Sequence, residues 1–191
     1  MTVATQHVTV ADLLRLGSDA RVEVVEGEIV EMTPVGGLHN WIAKNIMQLL
    51  DAYAREHKSG LVFTDSLLYI LSASDAGIRT ARVPDVSFVA KHDIPSEWDF
   101  ERPFPGAPTL AVEVMSPDDQ LEDVEQKVRD YFSAGTSEVW LVLPRQETVY
   151  RHFRSESVVH LYRAQATMDV GTLFPGLTLD LADIFRRPEL D

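Results

Sequence analysis

Two acidic residues stand where strand-forming sequence makes them costly. In Thr109-Leu110-Ala111-Val112-Glu113-Val114-Met115, period-two alternation puts Leu110, Val112 and Val114 on one face and Ala111, Glu113 and Met115 on the other. An ionised Glu buried in such a strand is destabilising unless a cation or hydrogen-bond donors meet it. Asp85 raises the same problem at the head of Asp85-Val86-Ser87-Phe88-Val89, because Asp is a poor strand residue. If the two strands pair, both carboxylates fall on one patch and each disfavours the other's charge. A hard divalent cation resolves that conflict. Mg2+ takes one or two carboxylates, completing its shell with waters and phosphate oxygens. Such an ion lowers the pKa of bound water and steadies charge on a phosphoryl oxygen. The same residues also read without chemistry, Asp85 as a strand-start acid after Pro84 and Glu113 as the partner of an arginine such as Arg82.

The elements that must position these acids follow from pattern and punctuation. Thr9-Val10-Ala11-Asp12 resembles a capping box opening a short helix to about Leu16. Residues 21–25 and 28–32 alternate and are joined by Glu26-Gly27, which suits a tight hairpin. Residues 38–58 fit a long helix with Ile42, Ile46, Leu49, Leu50 and Tyr53 on one stripe. Residues 61–71 read as one strand or two joined by a bend, and 84–90 and 109–115 as further strands, with a Pro- and Asp-rich loop over 91–108. Ser116, Pro117 and the acids after them predict a helix start, the helix running from 118 to Ala134 and stopping at Gly135. Residues 138–143 form an apolar strand, 148–153 and 158–162 a hairpin, and 181–185 a last helical turn. Strands gathered before a helix favour a mixed sheet over strict βαβ alternation. Glycine-rich phosphate loops of the GxGxxG or GxxxxGK[ST] type are absent.

Composition narrows the classes. The 191 residues fit one domain, with a core at about 38–143, a first hairpin at about 21–32, and a second hairpin and turn at about 147–186. There is no cysteine, which excludes disulfides, thiolate metal sites and cysteine nucleophiles and suits a reducing compartment. No run approaches the ~18 apolar residues of a membrane span, and Met1 to Thr9 lacks the pattern of a secretory signal, so a cytoplasmic location is expected. Thirty acidic residues against 17 basic give a net charge of −13. Phosphate neutralisation supplies most nucleic-acid affinity, so any binding to DNA is expected to be weak at physiological salt.

Several stretches, taken in order, resemble one family. They are 21–28 (RVEVVEGE), Pro34 with His39, 83–89 (VPDVSFV), 112–117 (VEVMSP), Lys127 with Tyr131, 138–144 (EVWLVLP) and 174–177 (FPGL). Together they resemble the Uma-two family of putative restriction endonucleases, a branch of the PD-(D/E)XK nuclease superfamily, from about Thr9 to Phe185. The resemblance implies an α/β restriction-endonuclease-like core of helix, three strands, helix and strand (αβββαβ), a mixed sheet flanked by helices, with extra hairpins at both ends. It also implies an Mg2+- or Mn2+-dependent endonuclease acting on DNA, with Asp85 and Glu113 as the metal-binding acids. The superfamily places a lysine two residues past the second acid. Here that position is Met115, which neither donates a proton nor stabilises an anion. The family supplies its lysine from the next helix, and Lys127 occupies that place. Lys127 lies roughly 90° from the centre of the stripe formed by Leu121, Val124, Val128, Tyr131 and Phe132, near enough for its stem to reach the sheet.

The resemblance marks His39 as a family position that orients water or touches phosphate, and Glu23 as a further acid near the metal. Arg79, Arg82, Lys91 and Gln120 are the candidate phosphate contacts, with a solvated surface as the plain alternative. Two functions follow. One is metal-dependent hydrolysis of DNA by Asp85, Glu113 and Lys127, with a homodimer supplying the two cuts a duplex requires. The other is an inactive nucleic-acid or protein interaction module retaining the nuclease fold, favoured by Met115 and by the acidic charge.

Overall fold

The structure is a computed structural model describing residues 7–17, 20–117 and 119–189. It begins with helix α1 (Val10–Arg15), whose Thr9 and Asp12 form the reciprocal capping box. Strands β1 (Val22–Val25) and β2 (Glu28–Glu31) follow as a hairpin, its turn made by Glu26 and Gly27 at φ 53° and 87°. Positive φ at both central residues matches the right-handed twist of the flanking strands. Helix α2 (Gly37–His57) then runs for 21 residues with Ile42, Ile46 and Leu50 buried along one side.

The next strands are β3 (Gly60–Thr64), β4 (Tyr69–Ser74), β5 (Gly77–Arg82), β6 (Val86–Ala90) and β7 (Leu110–Val114). Helix α3 (Leu121–Ala134) stops at Gly135, whose φ of 109° a side chain would strain. Strands β8 (Glu138–Leu143), β9 (Thr148–Phe153), β10 (Val159–Arg163), β11 (Thr167–Asp169) and β12 (Thr178–Asp180), then helix α4 (Leu181–Phe185), complete the chain.

The main sheet has six strands in the order β10-β9-β8-β7-β6-β3. Only the β7–β8 pair is parallel, and α3 makes the crossover between them. One face of this mixed sheet carries Val86, Phe88, Leu110, Val112, Trp140 and Val142, packed with the apolar side of α2 and with Leu181, Ile184 and Phe185 of α4. The opposite face carries Ala111 and Val139 against Tyr131 of α3. The alternation read along 109–115 is therefore the one found, with a helix on each side to bury it.

Of the two readings of residues 61–71, the pair of strands is found, but the two belong to different sheets, and β5 is a strand the sequence did not predict. β4 and β5 form a hairpin inserted between β3 and β6, and it joins the first hairpin in a second sheet of order β2-β1-β5-β4. The first hairpin is thus continuous with the β4–β5 hairpin through the β1–β5 pair. Helix α3 is found over Leu121–Ala134; its expected start at 118 lies outside the described residues, and ahead of the helix the Ser116 N–H donates to Asp119 Oδ2 at 2.7 Å. Among the described residues, no helix is long and apolar enough to cross a membrane.

Candidate active site

Asp85 immediately precedes β6, and the antiparallel register Val86↔Val112 sets it opposite Glu113 of β7. Both acids are nearly buried, at 8% and 6% exposure. The Val114 N–H donates to Asp85 Oδ2 at 2.6 Å, fixing that carboxylate against the neighbouring strand. His39, in the first turn of α2, brings Nε2 to 3.2 Å from the same oxygen. Its Nδ1 is buried with no hydrogen-bond partner among the described residues.

Glu113 is held from α3. Lys127 Nζ donates to Oε2 at 2.9 Å and the Tyr131 hydroxyl to Oε1 at 2.7 Å. These donors sit four residues apart, one helical turn, so one face of α3 grips both oxygens. Lys127 Nζ also lies 3.7 Å from Glu23 Oε1 of β1. Glu23 in turn accepts from the Val83 N–H at 3.1 Å and from Arg82 Nη1 at 2.8 Å. The other side of the Arg82 guanidinium donates to Asp130 Oδ2 at 2.6 and 2.9 Å. The result is a continuous chain of charges from α3 through β5 and β1 back to α3 and on to β7.

Electrostatics follow from burial and from the excess of acids. Burial pushes Glu113 up to about 7; Lys127 pulls the other way, while the charges of Asp85 and Glu23 reinforce the rise. Burial works against the Lys127 ammonium, but Glu113 and Glu23 outweigh it and hold the lysine protonated well above its ordinary range. Burial likewise disfavours the His39 imidazolium, yet Asp85, the Val114 backbone and Asp119 leave its pKa raised.

A family profile with the description "Putative restriction endonuclease" matches residues 10–182. The chain belongs to the Uma2 family. The Uma2 match takes in every one of the clustered residues, from Glu23 to Tyr131. A solved structure from Anabaena variabilis, described as that of a putative nuclease belonging to DUF820, superposes with a TM-score of 0.75 at 21% identity, covering 93% of this chain and 97% of the other. That likeness shows the fold. No curated protein matches the chain. A nuclease is therefore the coarse functional reading that the Uma2 family supports.

Of the residues singled out from the sequence, Glu23, His39, Asp85, Glu113 and Lys127 are brought together. Arg82 is brought to the cluster too, but in a role that corrects both expectations for it. It is 5% exposed and engaged by Glu23 and Asp130, so it is neither the partner of Glu113 nor open to a phosphate. Lys91 follows the far end of β6, roughly 20 Å from Asp85 at ~3.3 Å per residue, and is exposed there. Gln120 directly precedes α3, about 10 Å along the helix axis from Lys127 at ~1.5 Å per residue. Arg79 lies on the exposed side of β5.

Sequence reasoning did not find Asp130. Its partner Arg82 is 48 residues away, a separation that leaves no local pattern. The available signal was its place three residues after Lys127, on the same edge of the helix.

Proposed function

We propose that the chain is a divalent-metal-dependent endonuclease that hydrolyses DNA phosphodiester bonds, with Asp85 and Glu113 holding Mg2+ or Mn2+. The observation that carries this reading is the meeting of two buried carboxylates on adjacent strands, with an ammonium 2.9 Å from one of them. Among the described residues, no group of three or more His, Asp or Glu is arranged to hold a metal ion, so a metal here would rest on two carboxylates. Two carboxylates with the remaining positions left to water and phosphate oxygens suit Mg2+, which dehydrates reluctantly, better than an ion that wants four protein ligands. The buried Nδ1 of His39 is a further polar atom whose partner a bound group would supply. When bound, the ion would polarise a phosphoryl oxygen and lower the pKa of a coordinated water.

The chain's own residues supply the rest. Lys127, held protonated, is an electrostatic anchor and not a base: its ammonium offers positive charge where a phosphoryl oxygen gains negative charge. Tyr131 orients Glu113 through Oε1, so the remaining lone pairs of that carboxylate keep one direction. His39 presents Nε2 to Asp85 Oδ2 at 3.2 Å, beside the shorter bond from the Val114 N–H. The Glu23–Arg82–Asp130 chain fixes the edge of α3 from which Lys127 reaches. Attack by water at phosphorus breaks the P–O bond to the leaving sugar oxygen, which departs with a proton. A homodimer serves duplex cleavage, and the acidic surface makes binding weak at physiological salt.

Incubation of the purified chain with plasmid or single-stranded DNA in Mg2+ or Mn2+ tests the proposal. Cleavage that disappears in Glu113→Ala supports it; no cleavage across several DNA and RNA forms, with no Mn2+ bound in calorimetry, defeats it. A second reading has its own support. Both Glu113 oxygens already have donors, and Met115 stands in the superfamily's lysine position. An inactive nucleic-acid or protein interaction module then predicts binding that a chelator leaves unchanged.

A further inference from the structure

Beyond α3, one face of the main sheet is incompletely covered. Cross-strand register sets Leu141, Tyr150 and Leu161 in one row, and Val139, His152 and Val159 in the next. α3 buries the Val139 end, whereas Tyr150 and His152 are half-buried and Val159 and Leu161 are 45% and 43% exposed. Between this face and Leu121 and Val124 of α3 lies a groove of about 920 Å3. That volume is near the upper end of small-molecule sites. Its lining also includes His39 and Met115, so the same cavity reaches the acid cluster, and Arg129 and Arg145 belong to its wall.

We propose that this groove binds unpaired nucleobases of the substrate strand, stacking them on Tyr150 and His152 beside the acid cluster. The proposal rests on the nuclease reading and names its substrate class, nucleic acid with exposed base faces. Three observations favour that occupant. The net charge of −13 makes phosphate neutralisation a poor source of affinity. The two cations nearest the acids, Lys127 and Arg82, are already engaged by carboxylates. What remains beside the site is a mainly apolar wall with two rings, Arg129 and Arg145 standing among its lining, and stacking on such rings is strong and tolerant of sequence. Burial lowers the His152 pKa, which keeps its ring neutral and suited to a flat apolar contact. A duplex hides its base faces and gains little from such a wall; a single strand, bulge or frayed end presents them.

Fluorescence anisotropy of the full chain in chelator, with a labelled single strand and the same sequence as a blunt duplex, tests the groove without any cleavage. The single strand is expected to bind about tenfold or more tightly than the duplex. Tyr150→Ala and His152→Ala are each expected to weaken single-strand binding by about fivefold or more. Tyr150→Phe and His152→Phe keep a ring and are expected to bind as the parent does, which separates stacking from a folding defect. Equal affinity for both forms, or alanine variants without effect, overturns the proposal. So does a dimer in light scattering that Leu161→Asp converts to monomer while single-strand binding is unchanged, since that assigns the face to a second copy. Single-strand binding lost in the alanine variants, without cleavage in Mn2+, keeps the groove and removes the nuclease reading. Cleavage that Tyr150→Ala leaves intact for both forms removes the groove and keeps the nuclease.

Discussion

The molecule buries charge in two places, and the two are built differently. In the β8–β9 pair, Glu138 and Arg151 are 1% and 2% exposed, and Arg151 donates to both carboxylate oxygens at 2.8 and 3.0 Å. Trp140 Nε1 adds a donor to Glu138 at 3.1 Å, and the Asp169 carbonyl accepts from the remaining side of the guanidinium. One acid meets one base, and every strong group is matched. At the candidate active site, four carboxylates (Glu23, Asp85, Glu113 and Asp130) face two permanent cations, Arg82 and Lys127, with His39 beside Asp85. The first arrangement is closed. The second holds more acids than permanent cations in a low dielectric; burial raises the Glu113 pKa, and the charges of Asp85 and Glu23 add to that rise against the pull of Lys127. A buried ion pair marks structure when it balances and a place for a further ligand when it does not.

The largest effect that sharpens this contrast is Arg151→Ala. It leaves Glu138 unpaired in the core and is expected to lower stability by about 3–5 kcal/mol, read as a fall in the denaturant midpoint. Lys127→Ala behaves differently. Glu113 already titrates near neutrality, so it takes up a proton when the ammonium is lost and stability changes less. Under the proposed function, cleavage is instead expected to fall by about 10²–10³-fold, the loss typical of removing one donor to a developing oxyanion. Comparable losses of stability in the two variants would erase the distinction between the clusters.

The pH dependence is next in size. Burial raises Glu113 to about 7 in the folded chain against 4.5 for a solvated glutamate, so between those values the folded chain holds a proton that the unfolded chain releases. Its contribution to stability is therefore present below 4.5 and is lost as pH rises through 7. Glu113→Gln is expected to remove this slope and to stabilise the metal-free chain above pH 7, measured by melting at pH 5 and pH 8. Mg2+ is expected to act oppositely in the parent chain, stabilising it more at pH 8 because its ligands must be deprotonated. A stabilisation by about 2.7 kcal/mol corresponds to a concentration about 100 times the dissociation constant. Tyr131→Phe is the mildest change: it removes one bond to Glu113 Oε1, and the affinity for Mn2+ is expected to drop by about tenfold, consistent with ~1.5–3 kcal/mol for a hydrogen bond to a charged group.

Much of the site was legible because it uses local rules. Period-two alternation put Glu113 on the face opposite Val112 and Val114, and the structure buries the two faces under different helices. Helical spacing placed Lys127 at the edge of its stripe, from which it reaches Glu113. The Glu26-Gly27 turn and the Thr9 capping box also stand as read. What escaped was non-local. β5 carries Arg79, Thr80 and Arg82 among its six residues, an unpromising strand in isolation, and is stabilised by pairing with β4 and β1. The double engagement of Arg82 depends on residues 48 and 59 positions away, so composition near Asp85 suggested a phosphate contact where folding makes a clamp.

One consequence follows from the inserted β4–β5 hairpin. Arg82 ends a strand of the small sheet, and Asp85 opens the way into a strand of the large one, with only Val83 and Pro84 as the seam. A slight sliding of one sheet over the other would change the 3.7 Å gap between Glu23 and Lys127 while leaving the Asp85–Val114 bond in place. The exposed outer strand β2 pairs with β1, which carries Glu23, so a substitution on β2 is expected to reach the Glu23–Lys127 gap through β1.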